Sequence, residues 1–161
     1  MLKIEIKHAV KKDIPVILEF IKKLAEYENL FHEVTATEKK LETSLFGKKP
    51  EAEVLLAFLK NKPVAIAIFF HNYSTFLAQK GLYLEDLFVL EEYRNKGIGK
   101  KLLQYLAQLA VQRNCGRFEW SVLDWNTPAI NFYKSIGATI KPEWLKTQLT
   151  GKALSDFAKL K

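Results

Sequence analysis

The chain has 161 residues, 48% of them hydrophobic and 12% aromatic, which suits one domain around a single core and excludes a disordered chain. Its one cysteine, Cys115, excludes an intrachain disulfide framework and a cysteine-based zinc site, and suits a reducing compartment. The formal net charge of +7 reads either as a solubility surface or as a positive field for a polyanionic ligand. The lysines are scattered and no basic-aromatic motif accompanies them, so nucleic acid is not the expected partner.

Ile4, Ile6 and His8 alternate with Glu5 and Lys7, a short strand signal. Asp13 reads as an N-cap with Pro15 in the first turn, and Ile14, Ile17, Leu18, Ile21 and Leu24 carry a helix to about Tyr27. Thr37 followed by Glu38 opens a second helix that stops near Gly47. Strands over 52–60 and 63–73 are joined by Asn61-Lys62-Pro63 as a hairpin, and 82–90 reads as a central strand covered on both faces. The polar, glycine-containing loop 91–99 runs straight into a helix with Leu102, Leu103, Leu106, Leu109 and Ala110 on one side. A strand over 117–123 follows, then a helix over 127–136 with Gly137 as its C′ residue, a final strand over 143–149 and a helix over 152–160. No repeat or linker divides the chain, so one domain over 1–161 is expected: a mixed α/β sheet with helices on both faces. The N-terminal residues hold no apolar block of the signal-peptide kind, and the longest apolar run, 63–70, is far short of a membrane span. A cytoplasmic protein with no membrane partner is the expectation.

The segment Arg94-Asn95-Lys96-Gly97-Ile98-Gly99 between a strand and a helix is a natural anion seat. A helix N-terminus presents unpaired N–H groups and partial positive charge, and glycine lets an anion approach the backbone. Two other phosphate motifs fail here. A P-loop needs glycine where Arg94 stands, and a dinucleotide fingerprint needs Gly or Ala where Leu102 stands.

Arg-x-x-Gly-x-Gly after a buried strand resembles the acyl-CoA pyrophosphate loop of the GCN5-related N-acetyltransferase (GNAT) superfamily. Residues 126–138, Asn-Thr-Pro-Ala-Ile-Asn-Phe-Tyr-Lys-Ser-Ile-Gly-Ala, resemble its second cofactor segment. Further stretches resemble the spermidine/spermine N1-acetyltransferase-like group, which includes thialysine acetyltransferases: Leu24-Ala25-Glu26-Tyr27-Glu28, residues 83–89, Tyr93-Arg94 and Trp125-Asn126. The resemblance implies the GNAT fold, with a mostly antiparallel mixed sheet. It also implies acetyl transfer from acetyl-CoA to the primary amine of a small molecule, without metal or acyl-enzyme, and a homodimer pairing through the C-terminal strand region. It places Leu87, Phe88 and Val89 on the cofactor arm and Arg94, Asn95, Lys96, Gly97, Ile98, Gly99 and Lys100 around the pyrophosphate. Asn126, Thr127, Pro128 and Ala129, with Tyr133, take the other side of the cofactor.

Tyr133 is the implied general acid; its residue type alone equally suits an amphipathic core tyrosine. Val89 is the implied backbone donor to the thioester carbonyl on a bulged strand. Glu85 matches the group's substrate acid and can take the ammonium proton through water. Strict alternation puts neighbouring Asp86 on the opposite face, so that the two carboxylates do not serve one site directly. Tyr27 and Glu28 match the amine-binding pair, Glu119, Trp120 and Ser121 match the acceptor channel more loosely, and Glu143 matches another acidic contact at altered spacing. His8, His32 and His71 lie in unrelated places and suggest neither metal nor nucleophile. The charge of +7 opposes a tri- or tetracation, so small diamines and thialysine-type amino acids rank ahead of long polyamines. A non-catalytic acyl-CoA-binding module and an enzyme acting on a peptide amine stay open as alternatives.

Overall fold

The structure is a computed structural model that describes residues 3–159. They fall into two compact units that divide between Ser121 and Val122. The first unit holds a five-stranded sheet in the order β1 (Ile4–His8), β2 (Glu53–Leu59), β3 (Lys62–Ser74), β4 (Gln79–Val89) and β5 (Phe118–Trp120). The first four strands are antiparallel neighbours and β5 joins β4 in parallel. That parallel step needs a crossover, which α3 (Ile98–Gln112) supplies.

Helices cover both faces of the sheet. On one face, Ile14, Ile17 and Phe20 of α1 (Ile14–Tyr27) and Leu41 of α2 (Glu38–Phe46) pack with Val54, Leu56, Ile66 and Phe88. On the other, α3 buries Ile98, Leu102, Leu103, Leu106 and Ala110. The strand residues left for that side include the small Ala57, Ala65 and Ala67 beside Leu55, Phe69 and Leu82, all fully buried. Small side chains beneath α3 let the helix sit close to the sheet.

Local sequence explains most boundaries. Thr37 Oγ1 accepts the N–H of Lys40 and caps α2 as expected. Asp13 behaves differently: its Oδ2 accepts backwards from the Val10 N–H at 2.9 Å, closing a 3-10 turn instead of capping α1. The β2–β3 turn is Lys60-Asn61, with φ of 49° and 63°, and Lys62 already belongs to β3. Two positive φ angles in a two-residue loop match the twist of a hairpin, which displaces the expected turn toward the N-terminus.

The second unit contains α4 (Thr127–Ser135) and α5 (Gly151–Phe157). The expected strand over 143–149 does not form. A strand exists only through its ladder, and these residues have no place in the sheet order; Trp144 and Leu145 are 80% and 84% exposed. The expected end of the last helix, Leu160, lies outside the described residues. No helix among the described residues is long and apolar enough to cross a membrane.

Candidate active site

The site starts from one irregularity in β4. Phe69 pairs with Leu84 and Ile68 with Asp86, which leaves Glu85 as an extra residue with no partner on β3. Paired residues share a face, so Asp86 stands with Ile68 and Phe88 on the α1 side, while Leu84 stands with Phe69 on the α3 side. The bulge breaks the alternation that set Glu85 and Asp86 on opposite faces, and that expectation is withdrawn. The parallel register with β5 also stops here, ending at Leu84 and Trp120. Beyond the bulge, Asp86, Leu87, Phe88 and Val89 therefore run along an edge that β5 does not continue to cover.

The last residues of β4 fix the direction of that edge. Leu90 N donates to Val64 O on β3, whereas the Val89 carbonyl accepts from Arg94 Nε at 3.1 Å. Along a strand the N–H and C=O of one residue point to the same side, so both groups of Val89 face away from β3.

The loop after β4 makes a 3-10 turn over Glu91–Tyr93, and Asn95 takes φ 60°. Gly97, the N-cap of α3, has φ 75° with open space around it, so backbone geometry is what asks for glycine there. A Cβ on Gly99 would stand 3.6 Å from Leu87 and 3.7 Å from Val89. Those are ordinary van der Waals distances, so this position faces the end of β4 and has room for a methyl group. Lys96 Nζ donates to Glu92 O at 2.7 Å and lies over the Tyr93 ring. Ile98 is buried and anchors the helix start, while Asn95, Lys96 and Lys100 remain exposed. The free N–H groups at this helix start suit the oxygens of a diphosphate.

Tyr27 and Glu28, at the end of α1, come to the same end of β4. The Tyr27 and Phe88 rings are 6.3 Å apart, and the Arg94 guanidinium lies 4.6 Å from the first ring and 5.4 Å from the second. Such stacking contributes about 0.5–2 kcal/mol, and a hydrogen bond from a charged donor about 1.5–3 kcal/mol. Arg94 is thus held by side-chain contacts within the fold, a role the motif did not announce. Burial pushes the Glu28 carboxyl above its ordinary range.

The residues matched to an acceptor channel sit on β5 and beyond. Glu119 Oε2 accepts from Asn72 Nδ2 at 2.9 Å and pairs with Arg117 Nε at 2.6 Å. Ser121 Oγ lies 2.8 Å from Tyr83 Oη, and Trp120 packs on Phe118 with ring centroids 4.8 Å apart. Glu119 and Ser121 lie on the face of Tyr83, with Trp120 on the opposite one.

In the second unit, Asn126 Oδ1 accepts from Ala129 N and caps α4, with Thr127 and Pro128 in its first turn. At the other end, Gly137 N donates to Lys134 O and Ala138 N to Tyr133 O, with Gly137 at φ 89°, a complete Schellman closure that bears out the C′ assignment. Tyr133 is half-buried beside Phe132, and burial pushes its hydroxyl above the ordinary tyrosine value.

One cluster escaped sequence reasoning. His8 and His71, which appeared unrelated, converge on an ion pair between Glu53 and Arg113, whose two bonds are 2.5 and 2.9 Å. Arg113 lowers the Glu53 carboxyl, and desolvation with the Arg113 and Lys80 charges lowers His71. The pairing of β1, β2 and β3 together with the C-cap of α3 forms this grouping, and no spacing in the sequence connects the four residues.

Comparison with known proteins gives the same reading as the geometry. The model of the Acetyltransferase (GNAT) family matches residues 20–138. The chain is 35% identical to L-ornithine N5-acetyltransferase NATA1 of Arabidopsis thaliana, over 96% of this chain and 88% of that one. It is 34% identical to thialysine N-epsilon-acetyltransferase of Mus musculus, over 95% and 96% respectively. Among solved structures, an integron cassette protein from the mobile metagenome of V. cholerae aligns with a TM-score of 0.82 at 29% identity, covering 99% of this chain and all of that one. The chain belongs to the acetyltransferase (GNAT) family, within its spermidine/spermine N1-acetyltransferase-like group.

Proposed function

We propose that the chain transfers acetyl from acetyl-CoA directly to a primary amine on a small diamine or a lysine-like amino acid. The observation that carries this reading is the open edge of β4, where the bulge at Glu85 ends the pairing with β5. The diphosphate of the co-substrate suits the backbone at Gly97–Lys100, and the thioester carbonyl suits the outward N–H of Val89. Tyr27 and Glu28 hold the amine, and Glu85 or Asp86 accepts its proton, directly or through water. Tyr133 gives its proton to the departing thiolate; this role rests on the motif. The amine class is supported by the relatives, whose names place the acetyl group on the side-chain nitrogen of an amino acid, and by the positive charge of this chain, which disfavours long polycations. We also propose that both units serve this one reaction in the cytoplasm.

Thiol release from acetyl-CoA tests the reading, with ornithine, thialysine, lysine, putrescine, spermidine, spermine and short peptides as acceptors. Turnover highest on an ω-amino acid or a diamine supports it. Preference for peptides moves the assignment to a protein amine. CoA binding by calorimetry without turnover on any acceptor replaces the enzyme with a binding module.

A further inference from the structure

Arg94 closes a loop of the chain on itself. Its backbone N–H bonds Glu91 O, ending the 3-10 turn, and its side chain returns to the Val89 carbonyl at the open edge of β4. The same guanidinium lies over the ring of Tyr27, from the end of α1, and over that of Phe88, from β4. Phe88 in turn packs edge-on against Phe20 of α1, with centroids 6.3 Å apart. One side chain therefore touches the strand that presents the Val89 N–H and the helix end that presents Tyr27 and Glu28. These contacts direct the guanidinium to the protein backbone and the aromatic rings, whereas the motif would make it a ligand of the diphosphate.

We infer that Arg94 is a positioning residue for the transfer reaction, fastening the acyl-side end of β4 to the amine-side end of α1. This rests on the proposed function, which assigns the two partners to those two places. Holding the Val89 carbonyl fixes the tilt of the residue whose N–H meets the thioester. Stacking on Tyr27 fixes the distance from that N–H to the amine. Lysine cannot replace it, because an ammonium has neither a flat face nor an Nε that donates sideways while the rest stacks.

The test compares Arg94→Gln and Arg94→Lys with the wild type, using CoA and pantetheine in calorimetry, and acetyl-CoA and S-acetylpantetheine in turnover. S-acetylpantetheine lacks the diphosphate. The inference expects CoA affinity within about threefold of wild type in both variants, and kcat lower by about tenfold or more, as for a misplaced reacting pair. The kcat deficit stays the same with S-acetylpantetheine, the KM of the amine rises, and lysine gives no rescue. In a Tyr27→Leu background, where the ring under the guanidinium is already gone, Arg94→Gln adds less to the deficit than it does in the wild type. CoA affinity lost tenfold, restored by lysine, with the deficit vanishing on S-acetylpantetheine, makes Arg94 an anion ligand and overturns the inference. Lower melting temperature with unchanged kcat and KM makes it merely structural and also overturns it. A wild type inert toward every amine removes the proposed function, and this inference with it. Wild-type turnover with either overturning pattern removes the inference alone.

Discussion

Two arginines flank α3, and they are used in opposite ways. Arg94 before the helix stacks on Tyr27 and Phe88, and Arg113 at its C-cap lies over Phe69. Each guanidinium is seated on an aromatic ring of the same sheet. Arg113 then meets both oxygens of Glu53, whereas Arg94 bonds a backbone carbonyl and, among the described residues, no carboxylate pairs with it. At one end of the helix the charge is cancelled, and the fold is fastened. At the other it is kept, beside backbone donors already suited to an anion. The difference teaches that a single helix can be anchored by stacking at both ends while only one end is left electrostatically open.

Substitutions should accordingly divide into those that lower turnover and those that lower stability. The largest effect expected is on chemistry: Tyr133→Phe lowers kcat roughly 10²–10³-fold with little change in the KM of acetyl-CoA, as for loss of a general acid. Steady-state rates that stay near wild type would remove Tyr133 from that role. Next comes the open end itself. A Cβ in the left-handed geometry of Gly97 costs about 1–2 kcal/mol, so Gly97→Ala shifts the loop and weakens CoA binding about tenfold by calorimetry. Unchanged affinity would show that the helix start does not hold the cofactor.

At the closed end, Arg113→Met removes a charged, partly exposed hydrogen-bond pair worth about 1–2 kcal/mol and lowers Tm roughly 3–6 °C, with kinetic constants unmoved. A kinetic change there would erase the division between the two ends. Acidification reads the same cluster more gently. The lowered His71 binds its proton less readily folded than unfolded, so stability falls as pH drops below about 6.5, the ordinary histidine value. The lowered Glu53 adds a further loss, below the ordinary carboxylate range. His71→Gln flattens the first of these falls in a series of thermal melts, and an equally steep series would assign the loss elsewhere. The smallest effect belongs to Glu28. Its raised carboxyl means that the folded chain loses stability as pH rises above the ordinary 4.5 through the raised value, so Glu28→Gln raises Tm slightly at neutral pH while raising the KM of the amine. Gain in both stability and amine affinity would contradict its place at the acceptor.

Much of this was legible in the sequence. Apolar periodicity gave α1 and α3, alternation gave β1, and the glycine-containing loop over 91–99 announced a helix directly after it, although α3 begins within that stretch, at Ile98. Other features depend on partners that a linear reading does not see. Glu85 carries no Gly or Pro to mark a bulge; only the pairing of Ile68 and Phe69 exposes it. Residues 143–149 have strand-like composition, but a strand needs a neighbour. The fork of Arg94 and the meeting of His8 with His71 around Glu53 are likewise properties of packing, set by side chains far apart in sequence.

The surplus residue in β4 has a consequence in simple counting. Leu84 and Asp86 already occupy consecutive rungs opposite Phe69 and Ile68, so excising Glu85 would leave every later rung, through Val89 opposite Ala65, where it is. The ladder to β3 is indifferent to this residue, in contrast to an ordinary deletion, which would turn the rest of a strand inside out. On its other side the register with β5 has already ended, at Leu84 and Trp120. Glu85 is thus a dispensable rung for one neighbour and lies just past the last rung of the other.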